Sequence, residues 1–153
     1  MRSLVVSLVA LLVAIPCCRD SSSGSAPESS MIEFSAGQTW QYKTRPGEEA
    51  SRLVVCRVDA DRKLGTIVHV YVEGVAIKSP RAQGGVTRVV HHLPFAAEAL
   101  RNSVGAPGAH RDDLPDYQDG YDTWRQAFDS GKAGVFTISV AESLDFMEQA
   151  IGK

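Results

Sequence analysis

Cysteine is scarce in this 153-residue chain. There are three, and two of them, Cys17 and Cys18, are adjacent, so no disulfide framework can be built. Cys56 is left alone in the body, where a small buried apolar thiol is the simplest reading. Excess charge of either sign is also missing. A formal net charge of −2 supplies no basic field for a phosphate backbone, which argues against nucleic acid as a partner. The short ligand pairs of a zinc site, HxxxH and CxxC, do not occur. No apolar run reaches the ~20 residues of a membrane-spanning helix. The sequence therefore calls for no cofactor and no metal, and for membrane contact solely through its N-terminus. What is present is ordinary for a globular protein: 44% hydrophobic and 22% charged residues, in a length that suits one domain with a short appendage.

The appendage reads as an address. Met1-Arg2 gives a positive start, and Leu4 to Ile15 is apolar apart from Ser7. That run is too short to cross ~30 Å of hydrocarbon but suits the apolar segment of a secretory signal. Cys17 and Cys18 follow at once, leading into the polar stretch RDSSSGSAPESS, an order that resembles a bacterial lipoprotein signal. Lipid on Cys17 or Cys18 would then anchor the chain, with the Ser/Gly/Pro-rich stretch as tether. Pro16 departs from the small residue such signals place before the cysteine, so cleavage without lipidation is the alternative. The expected organisation is a signal peptide over 1–18, a linker over 19–33 and a single domain over 34–153. An exported protein follows, periplasmic or membrane-anchored. A translation start at Met31 would instead make the body cytoplasmic.

Within the body, Trp40 and Tyr42 alternate with polar residues, as a half-buried strand requires. Arg45-Pro46-Gly47-Glu48 is a turn. Ser51 to Val58 places Val54, Cys56 and Val58 on one face, and Gly65 to Glu73 places Val68, Val70 and Val72 on one face, with an extension over Val75 to Lys78. Val86 to His92 is a further β-branched run. Pro94 suits the first turn of a helix reaching about Ser103, followed by a long Gly/Pro/Asp-rich connection over Val104 to Gln118. Tyr121, Trp124 and Phe128 form an aromatic stripe on a second helix. Gly134 to Ile138 reads as a buried strand, and Ser139 with Glu142 as a capping box that opens a last helix. The expected fold class is α+β: an antiparallel meander sheet of four to five strands packed with about three helices.

Candidate chemistry centres on the histidines and an acidic loop. Adjacent strand residues point to opposite faces, so His91 and His92 cannot meet one ion without a bulge. His69 shares a face with Ile67 and Tyr71, opposite the valines. One packed and one surface histidine is the plain reading. The stretch from Asp112 to Asp122 invites calcium, but with Gly120 as the loop glycine the first, third and last ligand positions fall on Pro115, Tyr117 and Gln126. Ser130-Gly131-Lys132 fails as a phosphate loop, with Gln126 and Ala133 at the positions that need glycine and a hydroxyl. An enzyme on this chain would draw its catalytic residues from His92, Asp116 and Asp119. The aromatic residues Trp40, Tyr42, Tyr117, Tyr121 and Trp124 suit core packing, or a groove lined partly by the 104–118 loop.

Three stretches read like a signature: GQTWQYKTRPGE from Gly37, HLPF from His92, and GYDTWRQAF from Gly120 continuing into GKAGVF from Gly131. With them, the span from about 34 to 150 resembles a group of small, uncharacterised bacterial proteins. Members of that group often begin close to the position of Met31 and lack a signal. The resemblance implies no activity, cofactor or catalytic residue. The sequence thus favours an exported, non-enzymatic binding or interaction domain whose partner is a protein or small ligand. The alternatives are a small hydrolase or metal-dependent enzyme using His92 and the acidic-loop carboxylates, and an immunity-like protein that blocks a toxin through an acidic patch around 112–122.

Overall fold

Alternation of apolar and polar residues from Thr39 onward folds into hairpin-linked strands, as expected. The computed structural model describes residues 32–152. The expected signal over 1–18, the expected lipidation of Cys17 or Cys18 and nearly all of the expected linker lie outside the described residues. The strands are β1 (Thr39–Tyr42), β2 (Arg52–Asp61), β3 (Gly65–Lys78), β4 (Val86–Ala96) and β5 (Val104–Pro107). The helices are α1 (Ala97–Ser103), α2 (Gln118–Asp129) and α3 (Val140–Ile151). The domain is α+β, with one open antiparallel sheet in the order β4-β3-β2-β1-β5. The first four strands form the meander, and β5 returns to pair with β1.

One face of the sheet builds the main core. Leu53, Val55, Val68, Val70, Val72 and Phe95 meet Leu100 of α1 and Val140 and Leu144 of α3 there. Ile32 packs at its margin, and Arg101 Nε donates to the Ile32 carbonyl. Ser139 accepts from the Glu142 amide, and the Glu142 carboxylate accepts from the Ser139 amide, the reciprocal cap that fixes the start of α3. The opposite face is smaller and separate: Ile67 lies beneath Tyr121 and Trp124 of α2.

Two bulges decide what that second face carries. In β2, Val54 and Val55 pair with Tyr71 and Val70, but the next pairs are Arg57 with His69 and Val58 with Val68. Cys56 is the extra residue, and after it the phase of the strand reverses. Val54 and Val58 therefore lie on opposite faces, a correction to the single face that strict alternation predicts. Cys56 stays buried, and burial pushes its thiol up to about 11, as an inert thiol requires. In β4, Leu93 pairs with Val70 and Val90 with Val72, so His91 and His92 together stand opposite Tyr71.

Three further local readings change. Pro94 lies in β4 and not in a helix. The Phe136 amide donates to the Pro94 carbonyl on the outer edge of the sheet, so the missing proline N–H faces outward and no ladder bond is lost. The 104–118 connection contains β5, whose weak apolar content hides it from pattern reading. Gly134 to Ile138 contributes a single bridge, Phe136 to Phe95, with Ile138 exposed.

Candidate functional site

The two bulges and α2 assemble a polar cluster that strict alternation cannot produce. Reversing phase at Cys56 carries Arg57 and Asp59 onto the face of His69. Doubling His91 and His92 opposite Tyr71 brings both of those rings to the same face, where His91 meets Tyr71 edge-on and His92 lies beside His69, edge to edge, with the ring planes 16° apart. α2 then closes the face. Its aromatic stripe sets Tyr121 at 4.9 Å and Trp124 at 4.7 Å from the His69 ring, centroid to centroid. The Trp124 indole donates to the Gly134 carbonyl at 2.8 Å, tying the helix to the segment that follows it.

Asp59 holds the outer end of the cluster. Its Oδ2 accepts from the Tyr121 hydroxyl at 2.7 Å and its Oδ1 from Arg57 Nε at 2.7 Å. The Arg57 guanidinium also covers the Tyr121 ring at 4.7 Å. Burial raises the Asp59 carboxyl, but these two hydrogen bonds outweigh it, and the group lies below its ordinary range. Tyr121 is raised, by burial first and by its carboxylate partner second.

The histidines complete a line. His69 is fully buried, its Nδ1 is 3.0 Å from His92 Nε2, and its Nε2 is 3.3 Å from Asp59 Oδ2. That last contact is long and poorly aligned, and among the described residues His69 Nε2 has no hydrogen-bond partner. Burial pushes both imidazoles down to about 4; for His69 the Asp59 charge pulls the other way and is outweighed. The Asp59–His69 contact at neutral pH is thus a carboxylate facing a neutral ring, not an ion pair. A carboxylate opposite Nε2 favours the tautomer with its proton there, which leaves Nδ1 to accept from His92 Nε2–H.

Asp116 and Asp119 belong to a different place. They line a partly open groove of about 320 Å³ together with His91, Tyr117 and Gly120. His91 Nδ1 is 3.0 Å from the Asp116 carbonyl, which ties the loop before α2 to β4. The histidine beside the acidic residues is therefore His91. His92 lies behind Gly120, bonded to His69. Sequence reasoning missed Arg57, Asp59 and the role of His69, because Asp59 reads as the start of a polar connection and both bulges are silent in the pattern.

Gly120 marks the seam between cluster and groove. A Cβ on it would lie 2.7 Å from His92 Cβ, which sits next to the backbone and cannot swing aside. Alanine at an exposed helical position stabilises by up to about 1 kcal/mol relative to glycine. Gly120→Ala is expected to do the reverse, lowering stability by about 1–3 kcal/mol as α2 is levered from β4. Urea unfolding reads the sign; a stabilised Gly120→Ala protein would mean that α2 does not sit as described.

Comparison of the chain with models of known protein families, with curated proteins and with solved structures finds no match.

Proposed function

We propose that this is an exported binding domain, and that the groove between β4 and the start of α2 receives a cationic side chain, ammonium or guanidinium, of a partner protein. The observation that carries the reading is the lining of that groove. Two acidic residues, Asp116 and Asp119, line it with Tyr117 and His91 around a space of about 320 Å³, roomy enough for a long side chain. Carboxylates supply the charge and hydrogen-bond acceptors for such a group, and an aromatic face adds attraction for a cation. Asp112, Asp113 and Asp122 lie close by in the chain and add negative charge to this stretch, which favours encounter with a basic surface. The immunity-like reading is the special case in which that surface belongs to a toxin. Export rests on the apolar leader and its Ser-rich continuation, as argued from the sequence.

The test is a titration of the isotopically labelled protein with hexalysine, followed by amide shifts. Saturable shifts at Tyr117 and Gly120 are expected, weakening as salt is raised. Each partly exposed charge contact is worth about 0.2–1 kcal/mol, so joint Asp116→Asn and Asp119→Asn substitution should weaken binding about tenfold. Shifts that are absent, or unchanged in the double variant, reject the groove.

A further inference from the structure

We propose that the hydrogen-bonded His69–His92 pair is a proton-operated latch for α2: protonation of the buried rings frees the helix from the sheet and takes the cationic-side-chain groove apart. The gating of the groove rests on the binding role proposed above; the release of the helix does not.

The geometry limits how many protons the pair can hold. One hydrogen bond joins the rings, from His92 Nε2 to His69 Nδ1 at 3.0 Å. It needs one N–H and one lone pair. When both rings are protonated, two N–H groups face each other at that distance, and the bond becomes a repulsion between cations. The groups around the pair offer partial relief. From β2, Asp59 faces His69, but its two oxygens are already held by Tyr121 and Arg57. Arg57 from β2 and Arg125 from α2 each oppose charge on His69. From α2, Tyr121 is neutral and Trp124 covers the rings without a carboxylate. β3 and β4 contribute the histidines themselves. A charged pair therefore reaches better solvation by losing its roof.

α2 is the roof, and it is separable. Its apolar contacts form the small cluster of Ile67, Tyr121 and Trp124, distinct from the main core on the other face of the sheet. The segments on either side, 108–117 and 130–139, contain no helix or extended strand that would have to break. Local opening of such a unit needs far less free energy than global unfolding. Undocking separates Asp116, Tyr117, Asp119 and Gly120 from His91, which dismantles the groove.

The direction follows from linkage. Both histidines are held to about 4 in the docked state, below the ~6.5 of a solvated imidazole. Their contribution to docking is complete above pH ~6.5 and is lost as pH falls toward ~4. Asp59 stays ionised across that window, being lowered from its ordinary range. Two histidines give an undocked-to-docked ratio that rises up to about a hundredfold per pH unit, and one histidine about tenfold.

The experiment is a pH titration of the full chain by NMR. The Trp124 indole and α2 amides report docking, Leu144 and Phe95 report the main core, and hexalysine reports the groove. A two-proton transition in the α2 signals between about pH 6 and pH 4, with core signals intact, is the expected result. His92→Gln keeps a donor toward His69, and His69→Asn places an amide where Nδ1 stands; each should leave a one-proton transition. Should α2 stay docked at pH 4, or be lost together with the core, or titrate unchanged in both variants, the latch is wrong. Hexalysine release that persists in His92→Gln but vanishes in His91→Gln would place the pH effect in the groove lining and overturn the gating. Hexalysine that binds at no pH, beside a two-proton α2 transition, would sink the binding role and leave the latch standing.

Discussion

Replacing Arg45 with alanine is expected to lower folding stability by about 3–5 kcal/mol, seen as a lower urea midpoint with an unchanged slope. Arg45 leaves the β1–β2 turn and donates through Nε and a terminal nitrogen to Glu48, and through its other terminal nitrogen to Asp145 and Glu148 of α3. The guanidinium side chain is 11% exposed and that of Glu48 only 3%. Glu48 Oε1 also accepts from the Ala76 amide, so this carboxylate ties the turn to β3. With Arg45 gone, the buried Glu48 carboxylate loses both guanidinium hydrogen bonds and its countercharge. That uncompensated charge, not the sum of the lost contacts, sets the cost. Asp145→Asn removes an exposed partner from the same guanidinium and should change stability by less than about 1 kcal/mol. Equal losses in the two variants would mean that burial of Glu48 is not what makes the network matter.

Trp124→Ala should have a comparable effect on a smaller unit. Deleting a buried tryptophan removes about 3–5 kcal/mol of packing. Here the ring contacts His69, His92, Tyr121 and Phe128, and its indole holds the Gly134 carbonyl. Because that cluster is separate from the main core, the loss should appear first as undocking of α2 at neutral pH. Amide exchange in 118–129 would rise by two or more orders of magnitude, while β2, β3 and α3 keep their protection. Trp124→Phe keeps most of the area and loses the indole bond, for about 1 kcal/mol. If Trp124→Ala opened the whole domain at once, α2 would be part of the main cooperative unit and could not act alone.

The outer architecture was legible because its signals are local. The meander shows in the valine alternation of β3 and the turn at Arg45 to Glu48. α3 shows in the Ser139–Glu142 cap, and α2 in the spacing of Tyr121, Trp124 and Phe128. Each depends on residues within one or two turns of each other. Pro94 and the Gly134–Ile138 stretch misled for the opposite reason. The proline is tolerated because β4 is an edge strand there, and whether GVFTI pairs depends on what space the edge leaves.

The acidic groove residues Asp116 and Asp119 were visible in the sequence as candidates, but their histidine was not. Alternation assigns His91 and His92 to opposite faces, and a single bulged residue in β4 returns both to one. The same device in β2 turns Asp59, which reads as the start of a polar connection, into the carboxylate opposite His69. A bulge costs little locally and has no fixed composition, so it is chosen by what the flipped side chains then meet across the sheet.

The sequence alone thus determined the strands of the meander, two of the helices with their apolar faces, and the expectation of an exported body behind a leader. The tertiary structure decided which polar side chains share a face. Periodicity reports how a segment alternates, whereas register across strands reports what stands beside it: in this domain a one-residue shift in β2 sets Arg57 and Asp59 beside His69, and one in β4 sets His91 and His92 on one face.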